Sequence, residues 1–158
     1  MVPTIKDVSR RGAEQEIRYS WWALRIGLGA TAFLAGLDKF FNLLANWEGY
    51  LSPVMAKMLP VSGVTFMHLA GIIEMVVGLA ILTRWTRIGS YVAMIWLALI
   101  AINLVTTGRY FDVAVRDVEM AIAAFTLGRL TEVYEPATVS DREHSGHLPD
   151  ASGFHARA

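Results

Sequence analysis

Four long apolar stretches constrain this chain more than any other feature. They run over Trp21–Ala45, Val64–Thr83, Ile88–Thr107 and Val113–Thr131. Each approaches or exceeds the ~20 residues that an α-helix needs to cross a bilayer. Hydrocarbon offers no water to satisfy backbone N–H and C=O groups, so segments of this length must span as helices. Strands of a membrane barrel are about half as long and alternate in polarity. The expected fold class is therefore all-α: a polytopic membrane protein built as a four-transmembrane-helix bundle. Composition agrees, because 54% of the residues are hydrophobic and the charged ones crowd the ends and the short junctions. A soluble domain of 158 residues is usually less apolar.

The stretches divide the chain into a cytoplasmic amino-terminal arm (1–20), a transmembrane domain (21–131) and a polar cytoplasmic tail (132–158). Within the arm, "GAEQEIRYSWW" is expected to start a helix on the membrane surface. The amino end does not read as a cleavable signal, since its apolar run is too long and no small-residue cleavage site follows. The second and third junctions are short, which makes spans two to four antiparallel neighbours. The first, Asn46–Gly63, holds Pro53 and Pro60 and has room for a short interfacial helix between them. After Pro136 the composition turns polar, and such a tail alone should be disordered.

Lysine and arginine placement sets the orientation. One side carries Lys6, Arg10, Arg11, Arg18, Arg84, Arg87, Arg129, Arg142 and Arg157, the other little beyond Lys57 and Arg109. Both termini are expected in the cytoplasm, and the location is a bacterial inner membrane. Trp21, Trp22, Trp85 and Tyr134 then form an inner aromatic belt, and Trp47, Tyr50, Tyr110 and Phe111 an outer one.

Zero net charge gives no argument for nucleic acid. With no cysteine, disulfides, thiol relays, thiolate metal sites and cysteine-held iron–sulfur clusters are excluded. No haem-attachment motif, phosphate loop or nucleophile elbow is present. His144 and His147, with His155, could hold a metal only in a folded tail. His68 and Glu74 differ by roughly 120° in helical phase, so they cannot chelate as an i, i+4 pair does. No metal site is assigned.

The chemistry lies in polar residues set among apolar ones. Asp38, Lys39, His68, Glu74, Asn103, Arg116, Asp117 and Glu119 all fall in the outer half of the expected bundle, and the inner half holds only Arg25 near its edge. Helical phase puts Gly29, Gly36 and Lys39 near one stripe, and Gly71, Glu74 and Gly78 on one face. Glycines so placed let helices approach closely, so Lys39 and Glu74 are expected to point into the bundle. An unpaired charge there costs at least ~2.5–3.5 kcal/mol, which favours a Lys39–Glu74 pair extended by Arg116 or Asp117.

Each residue also has a plainer reading. Lys39 can snorkel to the outer interface, and Arg25 to the inner one. Asp38 lies off the glycine stripe and reads as an interfacial or helix-end group. Glu74 serves either as a structural partner or as a proton-handling group, and His68 as a belt residue or as a ligand for a quinone or proton. Asp117 and Glu119 suit a helix amino-terminal turn, whereas Arg116 there calls for a partner.

Three pieces of the chain resemble a known family. "LRIGLGATAFLAGLDKF" resembles the first span of DoxX-like membrane proteins, "GIIEMVVGLAILTRWTRIGSY" their second, and "RDVEMAIAAFTLGRL" their last. The likeness covers about residues 21–131 and carries over Arg25, Gly36, Lys39, Glu74, Gly78, Arg116 and Asp117. It implies a four-helix bundle, often linked to membrane redox systems.

Three functions remain open. The first is a non-catalytic membrane subunit that anchors or completes a redox or respiratory complex, surrounded by lipid and by other subunits or copies of itself. The second is a quinone-binding component of a membrane oxidoreductase, in which Lys39, Glu74, His68 and Arg116 supply hydrogen bonds and protons; quinone is the one cofactor it would take. The third is a small-solute carrier, disfavoured by four short helices without internal repeats.

Overall fold

A computed structural model describes the backbone of residues 5–145 and the side chains of residues 11–134. The regular structure among its described residues is all helical, with no strand. Helix α1 is Ile5–Asp38; a 3₁₀ turn at Trp47–Tyr50 and the short α2 (Pro53–Met58) follow; then come α3 (Gly63–Leu82), α4 (Thr86–Thr106) and α5 (Phe111–Ser145). The four long helices run antiparallel in sequence. α1 packs on α3 and α4 on α5, while α3–α4 and α1–α5 contacts close the ring. Among the described residues, α3 and α4 are long and apolar enough to cross a membrane.

Several boundaries differ from the sequence expectation. The first helix stops at Asp38, not near Ala45, and the cause is local chemistry. The Asp38 carboxylate accepts the Leu43 and Leu44 backbone N–H groups, both at 3.0 Å, and Asn42 takes a left-handed φ of 52°. These bonds turn the chain back, leaving Leu43 and Leu44 84% and 75% exposed. Hydropathy carried the first helix through those leucines, whereas a captured carboxylate ends it before them.

The arm is not a separate surface helix, because residues 5–20 continue α1 without a break. At the other end α5 passes Pro136 and continues to Ser145. The polar composition after Pro136 reads as a disordered tail, but up to Ser145 the backbone is helical. Polarity argues against a buried face and does not forbid a helix. The side chain of His144, and all of His147 and His155, lie outside the described residues, and with them the tail metal idea.

The junction between the prolines holds α2, as expected. Ser52 caps it by accepting the Met55 N–H at 3.1 Å, with Pro53 in the first turn, where its missing donor costs nothing. Ser62 caps α3 in the same way through Thr65.

At the end of the bundle where α3 leads into α4, Trp21 donates to Thr131 at 2.8 Å and stacks on Tyr134 with ring centroids 4.7 Å apart. Beneath them lie Leu28, Val77, Ile81, Ala93, Ala124 and Leu127. Arg25 does not simply snorkel. Its guanidinium donates to the Ile81, Leu82 and Thr83 carbonyls and lies over the Trp21 and Trp22 rings. A cation so placed satisfies the carbonyls that α3 leaves open at its carboxyl end.

The α1–α3 contact is made backbone to backbone. A Cβ at Gly36 would stand 2.5 Å from the Gly71 carbonyl oxygen, and one at Gly78 would stand 2.7 Å from that of Gly29. The two glycine stripes therefore meet.

Candidate functional site

That close approach carries Lys39, one turn beyond Gly36, to Glu74, one turn beyond Gly71. Lys39 Nζ donates to Glu74 Oε2 at 2.5 Å, and the two residues are only 6% and 8% exposed. The remaining carboxylate oxygen of Glu74 accepts the indole N–H of Trp96 on α4 at 3.2 Å. Lys39 Nζ also lies 3.8 Å from the ring centroid of Trp47. Trp47 in turn donates its indole N–H to Asp38 Oδ2 at 2.8 Å.

This arrangement neutralises one positive and one negative charge and gives both Glu74 oxygens a donor. A buried pair is held only on those terms, since leaving either partner alone costs several kcal/mol. It ties α1 to α3 directly and both to α4 through Trp96. Asp38, adjacent in sequence to Lys39, does different work: it holds the 43–47 loop whose Trp47 covers the ammonium.

The other expected cluster members separate. Asp117 is 6% exposed and lies close enough to Glu74 and Lys39 to interact electrostatically with both. Arg116 is not inside the cluster. Its side chain is 61% exposed, and it reaches back to Asp117 over 3.6 Å. Asn103 also lies outside it, donating to the Tyr50 carbonyl at 2.7 Å and accepting the Ser52 N–H at 3.2 Å. It therefore fastens the loop before α2 to α4.

His68 stacks on Phe40 with ring centroids 4.7 Å apart and planes 9° from parallel. With Lys39, Asn42, Asn46, Glu48, Val64 and Met67 it lines a cleft of about 110 Å³. At ~30 Å³ per water, the cleft has room for about four water molecules, well below the ~300 Å³ of a small drug-like ligand's pocket. Among the described residues, no three His, Asp or Glu side chains gather as a metal site.

Three participants were missed in the sequence: Trp96, Trp47 and the buried role of Asp38. Trp96 had a readable signal. It lies midway along α4, too deep for an aromatic belt, and a tryptophan there needs an acceptor for its N–H. Trp47 had none, because its place over Lys39 depends on the turn that Asp38 makes.

The DoxX family model matches residues 20–107, a region that contains Lys39, Glu74 and Trp96. No curated protein and no solved structure matches the chain.

Proposed function

Because the chain belongs to the DoxX family, we propose that it is an integral membrane subunit that anchors or completes a membrane redox complex. Four helices cross the bilayer in this reading, with α1 and α5 joining α3 and α4, and both termini lie on the cytoplasmic side of a bacterial inner membrane. The distribution of arginines and the wide apolar exposure of α3 and α4 support it. Ile72, Val76, Ile88, Ile95 and Ile102 are 47%, 60%, 56%, 56% and 62% exposed, a surface suited to lipid.

The observation that carries the subunit reading is the saturation of the buried pair. Glu74 has a donor on each oxygen, and Lys39 is shared between a carboxylate and an indole face. A pair so engaged serves as a staple between helices. A quinone site has one observation in its favour: His68 and Lys39 line the same cleft.

Purification of the full chain in mild detergent, with mass spectrometry of co-purifying proteins and lipids, separates the two. The subunit reading expects stable partner proteins, and loss of assembly on Glu74→Gln. Bound quinone that disappears in Glu74→Gln while the fold and any assembly persist supports the oxidoreductase reading instead.

A further inference from the structure

We propose that the inner end of the α4–α5 seam binds the headgroup of an anionic phospholipid, held by Arg84, Arg87 and Arg129. This rests on the membrane reading given above. Arg87 on α4 and Arg129 on α5 converge on one carboxylate: Glu132 takes Arg87 on Oε1 at 3.0 Å and Arg129 on Oε2 at 2.5 Å. Tyr91 donates to that same Oε1 at 3.0 Å, fixing the carboxylate between the helices. Both guanidiniums remain open to their surroundings, at 60% and 62% side-chain exposure.

Arg84 is an exposed member of the turn that leads into α4, and the first turn of that helix holds no acidic residue. Among the described side chains, these three cations against the Glu132 carboxylate leave a surplus of two positive charges. A guanidinium already pinned by Glu132 keeps further N–H groups, and its planar fork suits a phosphate.

The surface beneath is apolar. Tyr91 meets Phe125 edge to face, with centroids 6.4 Å apart, and Ile88, Phe125 and Ile122 are 56%, 46% and 61% exposed. A diacyl lipid matches both halves: its phosphate offsets the surplus charge, and its chains lie along the seam. A free phosphate matches only the first.

The test uses the full chain, purified in a neutral detergent and titrated with dioctanoyl phosphatidylglycerol, dioctanoyl phosphatidylcholine and glycerol phosphate. Native mass spectrometry counts the bound molecules. Phosphatidylglycerol is expected to bind in preference to phosphatidylcholine, glycerol phosphate is expected to bind far more weakly, and added salt should erode the preference. Each arginine contributes about fivefold, so Arg84→Gln/Arg87→Gln/Arg129→Gln should lose roughly a hundredfold. The corresponding triple lysine variant should keep most of the preference.

Equal binding of the two lipids, a preference that survives loss of all three arginines, or glycerol phosphate binding as tightly as phosphatidylglycerol would each overturn the proposal. So would loss of a co-purifying protein from the glutamine variant while its lipid preference stays intact, which would make the patch a protein contact. If the glutamine variant does not fold, the salt dependence of the unmodified chain decides. Extraction of membranes with alkaline carbonate separates this inference from its premise. Release of the chain sinks the membrane reading, whereas a retained chain with indifferent lipid binding sinks only the lipid site.

Discussion

Neighbouring residues can carry one charge each and still belong to different parts of a protein. Asp38 ends α1 and organises the loop after it, while Lys39 turns inward to Glu74. Replacing Asp38 with Ala removes the acceptor for two backbone N–H groups and for the Trp47 indole. Stranding such donors costs about 1–3 kcal/mol. Asp38→Ala is therefore expected to melt earlier in detergent and to be cut faster by protease within residues 42–50; unchanged cleavage would show that the carboxylate does not hold the loop. Helical phase made the division of the two side chains legible, because Lys39 follows Gly36 and Asp38 does not. The three donors that collect on Asp38 were not legible, since they depend on where the backbone turns. Arg116 was misread for a similar reason. Needing a partner did not put it inside, because an exposed arginine reaches Asp117 from outside.

Between elements, glycine decides how near two helices come. Gly36 and Gly71 face one another across α1 and α3, and so do Gly29 and Gly78. Gly36→Ala or Gly78→Ala would set a methyl carbon within 2.5 Å or 2.7 Å of backbone oxygen, so the helices must separate. Overpacking of this kind costs about 1–3 kcal/mol. At Gly36 it would also stretch the Lys39–Glu74 contact. Gly27→Ala is the control, since nothing lies within 4 Å of its Cβ and the site is helical; it should be neutral or slightly stabilising. Thermal unfolding of the three variants in one detergent checks the order, and equal behaviour would deny the close approach. The glycine stripes were legible as spacing alone. Gly89 was not singled out, although a Cβ there would stand 2.9 Å from the Ile81 nitrogen. Ala93, one turn on and buried on the same face, repeats its small-residue spacing, so this signal was present in the sequence.

At the scale of the whole molecule, hydropathy located all four long helices, while it misplaced the ends of the first and last. Apolar runs report what lipid tolerates, and helix ends are set by caps and captured N–H groups. The proposed topology has a direct check, helped by a chain without cysteine. Single cysteines at Glu48 or Lys57 should react with an impermeant maleimide in intact cells, whereas those at Glu14 or Arg84 should react only after permeabilisation. Labelling of Arg84→Cys from outside would invert or break the four-span arrangement. Within that bundle the central claim is that Lys39 and Glu74 act together as a staple. The most direct test compares unfolding of Lys39→Met, Glu74→Met and the double variant. Each single substitution strands a buried charge and should cost about 3–5 kcal/mol, while the double variant removes both charges and should recover most of that loss. Losses that simply add in the double variant would contradict the account, because two residues that do not depend on one another cannot be holding the bundle as a pair.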